Sequence, residues 1–128
     1  MKYLIGLLND VVLMRWLAVA WTVVMLLGCL TPHQELPNTL LTLSDKAMHV
    51  AIFVLFTFLW QRAGYSMLSV LIIGMFFGAF IEVMQYVLPI NRSADWLDLL
   101  ADGIGTVLGV LLAWLVVRVI IALGFTAR

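Results

Sequence analysis

Residues 66–88, SMLSVLIIGMFFGAFIEVMQYVL, contain a single charge, Glu82, in 23 positions, and Pro89 stops them. A helix rises about 1.5 Å per residue, so this one would measure about 35 Å and could cross a hydrocarbon layer about 30 Å thick. A segment apolar on every side has no face to offer water, which makes it a membrane span rather than a surface helix.

Three more apolar stretches flank it. Residues 11–30 lie between Asn9 or Asp10, either of which can cap a helix, and Pro32, which ends one. Residues 45–61 follow the candidate N-cap Ser44 and run into Gly64, and residues 95–123 form the last stretch, with a polar first turn. Residues 1–8 are too short to span and belong at the interface. The short connection at 62–65 forces an antiparallel hairpin. The expected fold is all-α, an integral membrane four-helix bundle with short loops. It forms one domain over residues 1–128, with helices at about 11–30, 45–61, 66–88 and 95–123.

Composition agrees. The chain is 65% hydrophobic, with seven basic and seven acidic residues in 128, and its mean hydropathy is +1.15. A water-facing surface needs far more polar coverage. No length remains for a soluble catalytic domain, so any chemistry belongs to the bundle. Cys29 is the single cysteine, so no disulfide can form within the chain. Leu26-Leu27-Gly28-Cys29 resembles a lipoprotein cleavage box, but the preceding segment is long and carries Asp10 and Arg15, which favours a first transmembrane helix.

The charges are unevenly placed. With the N-terminus inside, Lys2, Arg15, Arg62, Arg118 and Arg128 are cytoplasmic, and only Lys46 and Arg92 are outside, in accord with the positive-inside rule. Glu35, Asp45, Glu82, Asp95, Asp98 and Asp102 then gather on the outer face. The motifs Gly74-x-x-x-Gly78 and Gly105-x-x-x-Gly109 let helix backbones approach closely and are read as packing between the third and fourth segments, with a homo-oligomer as the other use. Trp16, Trp60 and Trp96, near segment ends, are expected as interfacial anchors.

Glu82 is the sharpest residue, because an ionised carboxylate inside a span costs about 2 to 3 kcal/mol unless something offsets it. Gln85 and Tyr86, at i+3 and i+4, share its face. Asp45 and His49 are also i, i+4, so Asp45 can orient the imidazole as a general base or a metal ligand; the plainer account is a dipole-stabilised Asp45, a snorkelling Lys46 and a satisfied His49. Asp95, Asp98 and Asp102 fall on one stripe. Capping explains Asp95 and Asp98 but not Asp102, for which Arg92 is the candidate counterion. The surplus of acids permits a divalent cation, although no spacing matches a metal motif, the metal is unidentified and no cofactor is required. No phosphate loop, nucleophile elbow or nucleic-acid signature is present.

Asp45-Lys46-x-x-His49-x-x-x-Phe53, Glu82-x-x-Gln85 and Arg92-x-x-Asp95-x-x-Asp98-x-x-x-Asp102-x-x-Gly105, with Thr31-Pro32 after the first helix, resemble the VanZ-like family of small bacterial membrane proteins. The resemblance covers about residues 31 to 109. It departs at Asp102, where members often carry Asn. It implies a four-helix protein of the bacterial cytoplasmic membrane, and its founding member is associated with teicoplanin resistance. It also implies functional status for Asp45, Lys46, His49, Glu82, Gln85, Arg92, Asp95, Asp98 and Asp102.

Three functions are compatible with these residues. The first is a binding module that grips the anionic headgroup of an envelope lipid or lipid-linked glycan through Lys46, Gln85, Arg92, Asp95, Asp98 and Asp102. The second is a membrane enzyme in which Glu82 or His49 is the general base, Asp45 its orienter, and Asp95, Asp98 and Asp102 hold a cation. The third is a structural subunit whose polar cluster locks helix packing.

Overall fold

Asp10 makes the first boundary of the chain. Its extended backbone and its carboxylate, which accepts from the amides of Val12 and Leu13 at 3.0 Å each, cap α2 (Val11–Leu30) and separate it from the short α1 (Lys2–Asn9). This is a computed structural model that describes residues 2–32, 45–91 and 94–126. The helices that follow are α3 (Asp45–Arg62), α4 (Met67–Val87) and α5 (Trp96–Ala122). Among the described residues the chain is all-helical, with five helices and no strand. Ser44, Glu35, Arg92 and Arg128 lie outside the described residues.

Local chemistry sets the other ends. Gly64 takes φ +96°, a left-handed conformation that suits glycine and turns α3 into α4, and Ser66 caps α4 by accepting from the amide of Ser69. Asp95 caps α5 by accepting from the amide of Leu97 at 2.9 Å.

Hydrogen bonds between helices give the order of the ends. Asn9 Nδ2 donates to the Thr126 carbonyl, Arg15 Nε to the Ala63 carbonyl and Arg62 to the Leu8 carbonyl. The start of the chain, the α3–α4 turn and the end of the chain therefore share one end of the molecule. At the other end Gln85 Nε2 donates to the Cys29 carbonyl, the amide of Asp95 to Glu82, and Lys46 to Asp95. Helices α2 to α5 alternate in direction, and α3 packs against α2, α4 and α5.

Three helices, α2, α4 and α5, are long and apolar enough to cross a membrane, at 20, 21 and 27 residues. Helix α3 is not among them, because Asp45, Lys46 and Arg62 occupy its ends. Its middle is the interior of the protein: Phe53 and Thr57 are fully buried, and Phe56 stacks on Phe77 of α4 with ring centroids 4.9 Å apart. Trp60 differs from the sequence expectation. Its indole N–H donates to Thr22 and its ring packs edge-on against Phe56 and Tyr65, whereas Trp16 and Trp96 are exposed.

The glycine motifs also resolve differently from the sequence reading. A Cβ at Gly74 would lie 2.7 Å from Thr106 of α5, which places α4 against α5 as expected. Gly105 and Gly109 face α3 instead. A Cβ at Gly105 would lie 2.5 Å from the Val50 carbonyl oxygen, and one at Gly109 would overlap the Val54 carbonyl and the Thr57 hydroxyl. The glycine side of α5 was legible in sequence, but the identity of the helix lying on it was not.

Arg62 is buried, and its guanidinium reaches the Leu8 carbonyl at 2.6 Å and Asn9 Oδ1 at 2.9 Å, holding α1 to the end of the bundle. Charge-assisted hydrogen bonds contribute about 1.5–3 kcal/mol. Arg62→Met is therefore expected to speed amide hydrogen exchange in α1 by about tenfold to a hundredfold while leaving α4 and α5 protected, as read by exchange mass spectrometry in detergent.

Candidate functional site

The end of the bundle that carries Cys29 and Asp95 collects ionisable side chains from α3, α4 and α5. Glu82 stands in the last two turns of α4 on the face that carries Gly78 one turn earlier, and the absence of a side chain at Gly78 lets Asp102 of α5 come alongside. Glu82 Oε2 accepts the backbone N–H of Asp95 at 2.8 Å, so the carboxylate also anchors the start of α5. His49, one turn into α3, meets Asp102 with Nδ1 2.8 Å from Oδ1. Their side chains are 3% and 1% exposed, so this pair is shut off from water. With Asp102 ionised, a carboxylate can only accept, so Nδ1 carries the proton and Nε2 is left for another partner.

Lys46 lies above this pair. Its ammonium is 3.1 Å from Asp95 Oδ2 and 3.4 Å from Asp98 Oδ1, with about two-fifths of the lysine side chain exposed and Asp98 nearly enclosed. The Asp95 carboxyl is held below the ordinary carboxylate range, first by the Leu97 N–H it accepts and then by Lys46. Gln85 is buried and its amide donates to the Cys29 carbonyl at 3.0 Å, fastening the end of α4 to the end of α2.

Several sequence expectations change here. Asp45 was read as the residue that orients His49; it is exposed at the start of α3, and the imidazole bonds to Asp102, 53 residues away in sequence. Arg92, the candidate counterion of Asp102, lies outside the described residues; among the described residues Asp102 bonds to His49. Tyr86, expected beside Glu82, is 76% exposed. The carboxylate stripe divides between two partners: Asp95 and Asp98 turn to Lys46 and Asp102 turns to His49, so the three do not gather on a single cation. Glu82, His49, Asp98, Asp102, Lys46 and Asp95 come together, and Gln85 stands behind them as a helix fastener.

The sequence reading missed Thr106. It is fully buried one turn below Asp102, and its hydroxyl oxygen has no hydrogen-bond partner among the described residues. The i, i+4 spacing from Asp102 was the available signal. Glu82 Oε1 and Asp102 Oδ2 are likewise buried without a partner. One nitrogen of His49 and one oxygen each of Glu82 and Asp102 lie within 4.8 Å of one another.

Beside the cluster, α3 and α5 enclose an apolar groove of about 260 Å³ whose walls include Val50, Leu97, Ala101 and Ile104, with Lys46 at one end. Ile104 also lines a larger groove of about 610 Å³ on the outer side of α5, with Met75, Trp96 and Leu108. Such a neighbourhood can hold a polar headgroup at Lys46 and apolar chains below it, or can position a proton acceptor against a bound molecule.

Neither the curated proteins nor the solved structures yielded a match to the chain. A protein-family model described as VanZ/LLP1 matches residues 7–118, a span that takes in α2 to α4, most of α5 and every residue of the polar cluster. On that match, and with three helices fit to cross a membrane, the chain belongs to the VanZ-like family of membrane proteins.

Proposed function

We propose that this protein is a four-helix bundle of the bacterial cytoplasmic membrane whose outer end binds the anionic headgroup of an envelope lipid or lipid-linked glycan. Residues 1–128 act as one domain, α3 is the fourth crossing, both termini are cytoplasmic, and the end bearing Glu82 faces outward. The charge distribution supports that orientation, since five of the seven basic residues fall on the opposite side. Helix α3 completes the bundle because its charges sit at its ends, where Asp45 is exposed, Lys46 pairs with Asp95 and Asp98, and Arg62 is held by Leu8 and Asn9.

The observation that carries the reading is Lys46 at the end of an apolar groove. Lys46 and Asp95 are each about two-fifths exposed, so water screens this pair and it contributes little. A phosphate can therefore replace Asp95 on the exposed side of the ammonium, with the nearly enclosed Asp98 still 3.4 Å away on the other side, while the groove receives an acyl or prenyl chain. Asp95, Asp98 and the other carboxylates then face the sugar or peptide hydroxyl and amide groups of the headgroup.

Native mass spectrometry of the purified protein tests this. Wild type is expected to retain an anionic envelope lipid, and Lys46→Ala combined with Arg92→Ala to lose at least about nine-tenths of it, an effect of about 1.4 kcal/mol. Unchanged retention in the double variant removes the headgroup site. Teicoplanin susceptibility of cells with and without the chain is the corresponding cellular readout.

A second reading is favoured by one specific feature, the unpartnered Glu82 Oε1 beside His49 and Asp102. There Glu82 or His49 acts as general base on the same bound lipid, with water as nucleophile. If the retained lipid is turned over, Glu82→Gln is expected to keep binding and lose turnover; full turnover in that variant eliminates Glu82 as the proton acceptor.

A further inference from the structure

His49, Glu82 and Asp102 come from three different helices, are 3%, 6% and 1% exposed, and present one nitrogen and two oxygens within 4.8 Å of one another. Their mutual bonds do not use up these groups. Glu82 Oε2 accepts from the Asp95 amide and Asp102 Oδ1 meets His49, but Glu82 Oε1 and Asp102 Oδ2 are buried with no hydrogen-bond partner among the described residues. Acceptors stranded in this way inside a bundle are costly and call for a positive partner.

The helix backbones are shaped around one of these oxygens. A Cβ at Gly78 would stand 2.9 Å from Asp102 Oδ2, so any larger residue would close the space beside that oxygen. Below it the Thr106 hydroxyl is a further buried polar atom without a partner.

We propose that His49, Glu82 and Asp102 hold one divalent transition-metal ion between α3, α4 and α5. Two carboxylates and a neutral imidazole balance a charge of +2, so the loaded site is neutral in a low-dielectric interior. A mixed set of one imidazole nitrogen and two carboxylate oxygens suits zinc, manganese or iron(II) better than magnesium or calcium, which favour oxygen alone. Bonds of about 2.0–2.2 Å require the three atoms to draw together by about 1 Å, within reach of side-chain rotation. Three protein ligands leave a coordination position open to a water or to an oxyanion of a bound molecule.

The neighbouring set Asp45, His49 and Asp98 is equally close, but Asp45 is exposed and Asp98 is already held by Lys46 at 3.4 Å. The unpartnered oxygens select the deeper set. This proposal does not rest on the lipid reading, and its test uses metal alone.

The test is metal loading of the full chain purified in detergent, stripped with chelator and titrated with Zn²⁺ or Mn²⁺. Elemental analysis after desalting is expected to find one equivalent on wild type and none on Glu82→Gln or Asp102→Asn, each of which preserves side-chain volume. Helicity and elution volume monitor the fold. Should either variant fail to fold, X-ray absorption of zinc-loaded wild type decides, with one imidazole and oxygen neighbours expected and sulfur excluded. The proposal is overturned if wild type retains no metal, if both variants retain the full equivalent, if sulfur appears in the shell, or if changing the chain's other histidine, His33→Ala, alone abolishes binding.

Discussion

Gly109→Ala will cost this protein at least about 3 kcal/mol of stability, at the upper end of the range for overpacking a core. The added methyl group would overlap the Val54 carbonyl, which moves only with the α3 backbone, and the Thr57 hydroxyl, which can turn aside only by leaving its buried acceptors. The Thr57 hydroxyl lies 2.8 Å from the Phe53 carbonyl and 3.2 Å from the Thr106 carbonyl, so its one proton is shared between acceptors on α3 and α5. One turn earlier, Gly105 meets the Val50 carbonyl in the same way. The two glycines therefore set the separation of α3 and α5.

That separation also sets the distance from His49 to Asp102, so the variant should damage the polar cluster together with the packing. The comparison is Gly28→Ala in α2, where a new Cβ meets nothing within 4 Å. A helix gains up to about 1 kcal/mol when Ala replaces Gly, so that variant should be neutral or slightly stabilised. Thermal or denaturant unfolding in detergent, followed by circular dichroism, measures both. Equal behaviour of the two variants would mean that α3 and α5 are not in close contact at Gly109.

Asp102→Ala is the second change with a large expected effect. Removing one member of a buried ion pair costs about 3–5 kcal/mol, whereas a neutral side-chain hydrogen bond between membrane helices contributes only about 0.6–1.7 kcal/mol. The His49–Asp102 contact is 2.8 Å long between side chains 3% and 1% exposed, so removing the carboxylate strands a buried imidazole N–H and, where the ring is protonated, a buried charge. We expect a loss of about 3 kcal/mol for Asp102→Ala and less than half of that for Asp102→Asn, whose amide oxygen can still accept from Nδ1. A double-mutant cycle with His49→Ala isolates the pair. A coupling below about 1 kcal/mol would assign the contact to the weaker class.

Much of the molecule was legible along the chain because membrane helices announce themselves one residue at a time. Glu82 drew attention from sequence for the same reason, since a carboxylate in an apolar run carries a stated cost wherever its neighbours are. Partners were less legible. Asp45 was matched to His49 and Tyr86 to Glu82 by the i, i+4 rule, which sees only one helix at a time. In the folded chain Asp45 stays exposed on the opening turn of α3, and Tyr86 is 76% exposed. The i, i+3 reading of Gln85 with Glu82 likewise placed two residues side by side, yet the Gln85 amide is spent on the Cys29 carbonyl of another helix.

The sequence by itself determined that the chain is helical, that it has long apolar segments fit for a membrane, of which it expected four to cross where three described helices qualify, that its acids are concentrated in a few segments, and that it carries the motifs of the VanZ-like family. These properties depend on composition and on spacing within one segment. Only the tertiary structure decided that His49 belongs to Asp102, that Glu82 anchors the start of α5, that Lys46 joins Asp95 and Asp98, and that Gly105 and Gly109 lie on α3. The physical reason is rotation. Which face one helix turns toward another is set by where two backbones can approach, and at Gly105 and Gly109 that choice depends on the facing residues of α3, which no spacing within α5 encodes.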